Sequence, residues 1–211
     1  MKIPQPPLQR GLNPPTPFTK GGLIDKQPKN STPEAMEEFF NQEYDPWHYK
    51  GNPEDIKRAN IIKKELLRYP ITRLLDIGCC EGYLTHFLAP CAQYTLGIDV
   101  SPTAISRAIN SYNSFCDFKT GNILYFRSDF QYDAVTITGV LYYVNNKWDK
   151  VFATLDNVLI KGGVLLTSHI TESSKGDGYL SHFLKGEYNH ERSIKFPYKR
   201  FTQSLNVFTK H

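Results

Sequence analysis

From Thr32 onward, apolar residues recur either at helical spacing or in short unbroken runs, and the two kinds of segment alternate. Thr32-Pro33-Glu34 is a helix start, with Met36, Phe39 and Phe40 on one side and Asp45-Pro46 as the break. Pro53 opens a second predicted helix that runs to about Tyr69 and is ended by Pro70; Ile56, Ala59, Ile61, Ile62, Leu66 and Leu67 form its predicted buried face. Leu74 to Ile77 is too short for a helix and is stopped by glycine, so it reads as a buried parallel strand. Tyr83 to Ala89 is a short helix closed by Pro90, and Tyr94 to Ile98 a second strand. The pattern then predicts a helix over Pro102–Tyr112 capped by Ser101, strands over Phe115–Lys119 and Tyr132–Thr138, and a helix over Lys147–Leu159. A strand over Val164–His169 is entered through Gly162-Gly163, and the last strands fall near Glu191–Phe196 and Thr202–Thr209. This alternation predicts an α/β fold with a doubly wound sheet.

Residues 1–33 break the pattern. They contain eight of the 14 prolines and few large apolar groups, so they bury too little surface to offset their ordering entropy. The expected organisation is a Pro-rich basic arm over 1–33 and one domain over 34–211. The charge is concentrated in the same arm. It holds five basic residues against one acid, and the rest of the chain carries 20 of each. The domain is therefore not a basic phosphate-binding surface, and nucleic acid is not the expected partner. No apolar run approaches the roughly 20 residues that span a bilayer, and the first residues hold no apolar segment of the secretory type. Four cysteines without C-x-x-C pairing read as reduced thiols, and the expected location is cytoplasmic, with no metal and no membrane partner.

The chemistry concentrates between Arg73 and Val100. Two apolar runs end at Asp76 and Asp99, separated by a turn containing Gly78 and Gly82. Gly78 allows a positive φ and a close approach to a ligand. Ligands of open α/β sheets bind at the carboxyl ends of strands, where Asp99 can accept hydrogen bonds from two ribose hydroxyls. A dinucleotide site would use G-x-G-x-x-G. Here Cys80 occupies the second glycine position, and Asp76 beside the turn repels a pyrophosphate but tolerates a sulfonium and an ammonium. These features favour S-adenosylmethionine over NAD.

Five segments then agree in order and spacing with one family. D76-I-G-C-C-E-G82, G97-I-D-V-S-P-T-A104, G121-N-I123, Y132-D-A-V-T-I-T-G-V-L-Y-Y-V144 and I160-K-G-G-V-L-L-T167 resemble the motifs of class I S-adenosylmethionine-dependent methyltransferases. Cys80 replaces a usual glycine, and Asn122 a common aspartate. E43-Y-D-P-W-H-Y49, G139-V-L-Y-Y-V144 and S204-L-N-V-F-T-K-H211 further resemble the nodulation N-methyltransferase (NodS-like) group. The resemblance covers about Met36 to His211. It implies a Rossmann-like, doubly wound seven-stranded sheet with helices on both faces and an antiparallel last strand.

The resemblance also implies roles. Asp76, Gly78, Cys79, Cys80 and Gly82 would hold the methionine moiety, Asp99 the ribose, and Val100, Asn122 and Ile123 the adenine. Asn122 also reads as a turn residue after Gly121. Gly139 and the residues after it would pass under the methyl group. Relatives often place an acid there, and this chain has none. Tyr142 and Tyr143 are candidate acceptor contacts, only one of which faces the substrate if the backbone is extended. His169, at the end of the fifth strand, is the candidate general base. Tyr44, Trp47, His48 and Tyr49 would cover the cofactor, and Tyr179, His182, Phe183, Tyr188 and His190 lie where acceptor selection usually resides. The implied activity is N-methylation of an amino sugar or saccharide-like small molecule. O-methylation of a hydroxyl and a non-catalytic cofactor-binding subunit stand as alternatives.

Overall fold

The structure is a computed structural model that describes residues 32–144, 146–171, 180–184 and 187–211. Most of the expected N-terminal arm, residues 1–31, and Tyr179 lie outside the described residues.

The chain runs α1 (Pro33–Gln42), α2 (Pro53–Leu66), β1 (Arg73–Ile77), α3 (Tyr83–Leu88), β2 (Tyr94–Asp99), α4 (Pro102–Tyr112), β3 (Asp117–Thr120), β4 (Tyr132–Thr138), α5 (Trp148–Val158), β5 (Leu159–Ile170), α6 (Leu180–Phe183), β6 (Tyr188–Tyr198) and β7 (Phe201–Lys210). The seven strands form one sheet in the order β3-β2-β1-β4-β5-β7-β6. β1 to β5 are parallel to one another, and β7 lies antiparallel between β5 and β6. The chain winds outward from β1 to β3 and then restarts at β4. The crevice between the carboxyl ends of β1 and β4 is therefore the topological switch point, where open α/β sheets bind ligands.

Strand alternation splits the core in two. Leu75, Ile137, Leu165 and Phe208 face Val151, Leu155 and Val158 of α5. On the other side, Leu74, Ala134, Leu166 and Val207 face Ala59, Ile62 and Leu66 of α2 and Leu84 and Leu88 of α3. The expected sheet, with helices on both faces, is the observed one.

Helix α2 departs from its apolar pattern. It ends at Leu66, and Ile56 and Leu67 are 39% and 61% exposed. Asp55, Arg58 and Glu65 are buried instead. Each has a partner that makes burial tolerable: Asp55 Oδ1 accepts from the Tyr198 hydroxyl at 2.7 Å and pairs with Arg58 at 3.1 Å, and Glu65 pairs with Arg192 of β6 at 2.8 Å. Phe115 lies outside β3 and is 64% exposed, edge-on to His86. β5 begins five residues before its predicted start, across a bulge in its pairing with β4.

Candidate functional site

The turn after β1 is built by hydrogen bonds to β2. The N–H groups of Gly78 and Cys79 both donate to the Ile98 carbonyl, at 2.7 and 3.0 Å. Gly78 has φ +79°, and a Cβ there would stand 2.1 Å from Val140 Cγ2. Cys80 also has a positive φ, +52°, in the region that favours glycine. Its N–H donates to Asp99 Oδ2 at 3.0 Å, while Asp99 Oδ1 accepts from the Ser101 N–H at 3.0 Å. Asp99 is only 6% exposed. Burial pushes its carboxyl up to about 6, against the pull of the N–H groups of Ser101, Cys80 and Val100.

Asp76, unlike Asp99, is held by side-chain hydroxyls rather than by backbone N–H groups. It sits one residue inside β1, nearly fully buried, and its two oxygens accept from Thr85 Oγ1 at 2.6 Å and Thr136 Oγ1 at 2.7 Å. It fastens β1 to α3 and β4. Gly82 borders neither cavity described below. It has φ +83° at the start of α3, and a Cβ there would stand 2.7 Å from the Phe118 ring.

Two cavities meet at this turn. One, of about 330 Å³, runs from Asp99, Val100, Asn122 and Ile123 past Gly78 and Gly139 to Tyr142 and Tyr143. The other, of about 310 Å³, lies beneath Tyr44 and Trp47 and touches Asp76, Cys79 and Arg107. They share Gly78, Cys80, Trp47, Tyr49, Arg58 and Thr138. The first has a buried carboxylate beside apolar walls, as a ribose and a flat base require. Asn122 Oδ1 accepts from the Leu124 N–H at 2.9 Å, which leaves the amide NH2 and the oxygen's second lone pair to serve a base edge. Gly139, with φ +73°, donates its N–H to the Ser168 carbonyl at 3.1 Å, and no atom lies within 4 Å of where a Cβ would be.

Arg58 was not among the sequence candidates. Its guanidinium lies over the rings of Tyr49 and Tyr198, at 4.9 and 5.3 Å, and its buried Nε has no hydrogen-bond partner. Since it borders both cavities, it is placed to receive a carboxylate. The Asp55–Arg58 spacing was the available signal, but a helix scan for apolar residues treats both as solvent-facing.

The covering segment is clamped rather than simply laid on the sheet. Glu37 of α1 accepts from Ser101 Oγ and from Thr103 Oγ1 at the start of α4, the latter at 2.6 Å. Glu81 accepts from the Asp45 N–H and pairs with Arg107 at 2.7 Å. Arg107 lies 3.7 Å from the centroid of the Tyr44 ring. Trp47 is buried against Phe39, with ring centroids 5.0 Å apart. His48 is exposed and borders neither cavity.

Tyr142 and Tyr143 occupy a 3₁₀ turn, Leu141–Tyr143, so the alternation of an extended chain does not apply and both border the larger cavity. Burial raises the Tyr143 hydroxyl well above its ordinary value. The Tyr142 hydroxyl accepts from the Ile170 N–H. His169 does not join them. It is 1% exposed within β5, its Nδ1 is 3.3 Å from Asn206 Nδ2, and it borders neither cavity. Phe183 and Tyr188, expected near the acceptor, belong to the core, and His182 stacks on Trp148 at 4.6 Å. No helix among the described residues is long and apolar enough to cross a membrane.

Comparison with known proteins accords with this geometry. A family model described as a methyltransferase domain matches residues 75–165. The sheet superposes on the crystal structure of the N-methyltransferase NodS from Bradyrhizobium japonicum WM9 in complex with S-adenosyl-L-homocysteine. The TM-score is 0.72 at 21% identity, over 84% of this chain and 98% of that one. The fold is thus the one seen in that crystal structure. The chain is also 34% identical to nodulation protein S of Rhizobium tropici over 105 residues, 48% of this chain and 44% of that protein. To the counterpart in Sinorhizobium fredii it is 30% identical over 48% and 49% of the two chains. It thus spans about half the length of these curated relatives. A magnesium protoporphyrin IX methyltransferase from Synechocystis PCC 6803 with bound S-adenosylmethionine shares the fold at TM-score 0.69 and 14% identity, over 85% of this chain and 97% of that one.

Proposed function

We propose that this chain is an S-adenosylmethionine-dependent methyltransferase that acts on an amino group of a small molecule, an amino sugar or saccharide-like acceptor. The observation that carries the donor reading is the buried Asp99 carboxylate, held by the Cys80 and Ser101 N–H groups at the wall of a cavity between β1 and β4. The donor would supply an electrophilic methyl group on a sulfonium. Asp99 would accept from the ribose hydroxyls, Val100 and Ile123 would pack against adenine, and Arg58 would pair with the carboxylate of the amino-acid end. Gly78 would carry the backbone past the sulfur, with no side chain to meet Val140.

The preference for nitrogen rests on what borders the larger cavity. Among its described lining residues Asp99 is the one carboxylate, and there is no histidine. An unprotonated amine attacks with its lone pair and sheds a proton afterwards, whereas a hydroxyl requires a base to take its proton during attack. The acceptor nitrogen bonds to the methyl carbon, the carbon–sulfur pair goes to sulfur, and the product ammonium loses its proton to water. Tyr142 and Tyr143 would wall the acceptor and exclude solvent. The four thiols are free, which suits a reducing cytoplasmic setting, and residues 1–33 are read as an arm appended to the methyltransferase domain. Calorimetry with S-adenosylhomocysteine, followed by a screen of amine and hydroxyl acceptors, tests the reading. Binding with turnover only on amines supports it, and turnover on hydroxyls alone overturns the nitrogen assignment.

A further inference from the structure

Gln203 stands where the acceptor should meet the sheet. It borders the larger cavity, is 3% exposed, and pairs in register with Ile170, the last residue of β5. Its Nε2 donates to Ser168 Oγ at 3.2 Å, and its Oε1 has no hydrogen-bond partner. An orphaned buried acceptor costs on the order of 1–3 kcal/mol, so it is kept only where something repays it. The same Ser168 accepts the Gly139 N–H through its carbonyl. Gln203 is thus one strand removed from the floor over which the donor's methyl group would lie, and Ser168 links the two.

We propose that the Gln203 carboxamide oxygen accepts an N–H from the acceptor amine and aims its lone pair at the donor. This rests on the donor reading above and deepens it. A neutral amine offers one N–H to Gln203 and keeps its lone pair for attack, with no base required. The cations bordering the cavity support the same assignment. Arg58, Lys147, Lys199 and Arg200 border it against the single carboxylate Asp99 among the described lining residues, and Asp55 behind the wall, paired with Arg58 and Lys199, offsets part of that charge and leaves an excess of cations. Surrounding positive charge disfavours an ammonium and favours the neutral form that can react.

The test uses two nitrogen analogues of S-adenosylmethionine in which the sulfonium is a tertiary amine. One carries a 2-aminoethyl arm at the methyl position and the other a propyl arm of the same shape. Affinities are measured by calorimetry at a pH above the pKa of the arm's primary amine, so that it is neutral like the reacting acceptor, with S-adenosylhomocysteine as the control. The wild type should prefer the aminoethyl arm by about tenfold, the ratio of one hydrogen bond. Gln203→Leu should bring the two arms within about twofold while leaving S-adenosylhomocysteine affinity unchanged. Gln203→Glu, which keeps the shape and strengthens the acceptor, should widen the preference, and it serves if the leucine variant does not fold. An equal preference in wild type and Gln203→Leu, no preference in the wild type, or a preference that fails to widen in Gln203→Glu overturns the proposal. Failure of the wild type to bind S-adenosylhomocysteine overturns the donor reading instead.

Discussion

The backbone N–H of Cys80 donates to Asp99 Oδ2 at 3.0 Å, which ties the turn after β1 to the carboxylate at the end of β2. The bond requires Cys80 at φ +52°, a conformation costing a non-glycine residue roughly 1–2 kcal/mol. Cys80→Gly should relieve this strain, offset in part by glycine's greater loss of chain entropy. The expected result is a gain of up to about 1 kcal/mol in a urea melt, with donor affinity within about twofold of wild type.

If Asp99 holds the ribose as proposed, donor binding should depend on pH. Its carboxyl titrates near 6 because burial disfavours the charge. On the proposed reading the ribose hydroxyls would donate to the ionised form, so affinity should be full above that value and fall as pH drops through about 6. The stability of the free protein moves the other way. The folded value lies above the unfolded one, so the native state binds the proton more tightly, and this group's contribution to stability rises as pH falls from 7 toward 4. Affinity and melting temperature measured across that range should diverge.

Gly78→Ala should disrupt the site. The added Cβ would stand 2.1 Å from Val140 Cγ2, and φ +79° is strained for alanine in any case. The turn must move, and with it the Val140 segment after β4. Expected are a loss of about 2 kcal/mol or more in stability and donor affinity too weak for calorimetry to detect.

Arg58→Lys keeps a cation beside Asp55 but removes the planar guanidinium between Tyr49 and Tyr198. Affinity for S-adenosylhomocysteine should fall by about tenfold. Affinity for adenosine, which lacks the amino-acid end, should stay within about twofold. Equal losses for both ligands would remove Arg58 from the carboxylate site.

The centre of the sheet was legible in the sequence because its strands are buried on both faces and read as short apolar runs, as Leu74–Ile77 and Tyr132–Thr138 do. The turn was legible too: Gly78 has its positive φ, and Asp99 its place at the end of β2. Asp76 looked equivalent to Asp99, because a one-residue difference in depth is invisible without knowing that Thr85 and Thr136 approach it. The acceptor end was less legible for a related reason. His169 was singled out for its chemistry, but strand parity and its Asn206 neighbour direct it into the sheet. Gln203 carried no signal, since its place depends on β7 inserting between β5 and β6. Arg58 was hidden because apolar periodicity cannot see a buried charge that is paired.

The most direct measurement is the affinity of S-adenosylhomocysteine for the wild type and for Asp99→Ala by titration calorimetry at neutral pH. If Asp99 holds the ribose, the wild type binds and the variant, still folded by circular dichroism, loses at least about tenfold, as expected for removal of a buried charged hydrogen-bond partner. Equal affinities, or no binding by the wild type, would contradict the assignment of the β1–β4 crevice as a methyl-donor site.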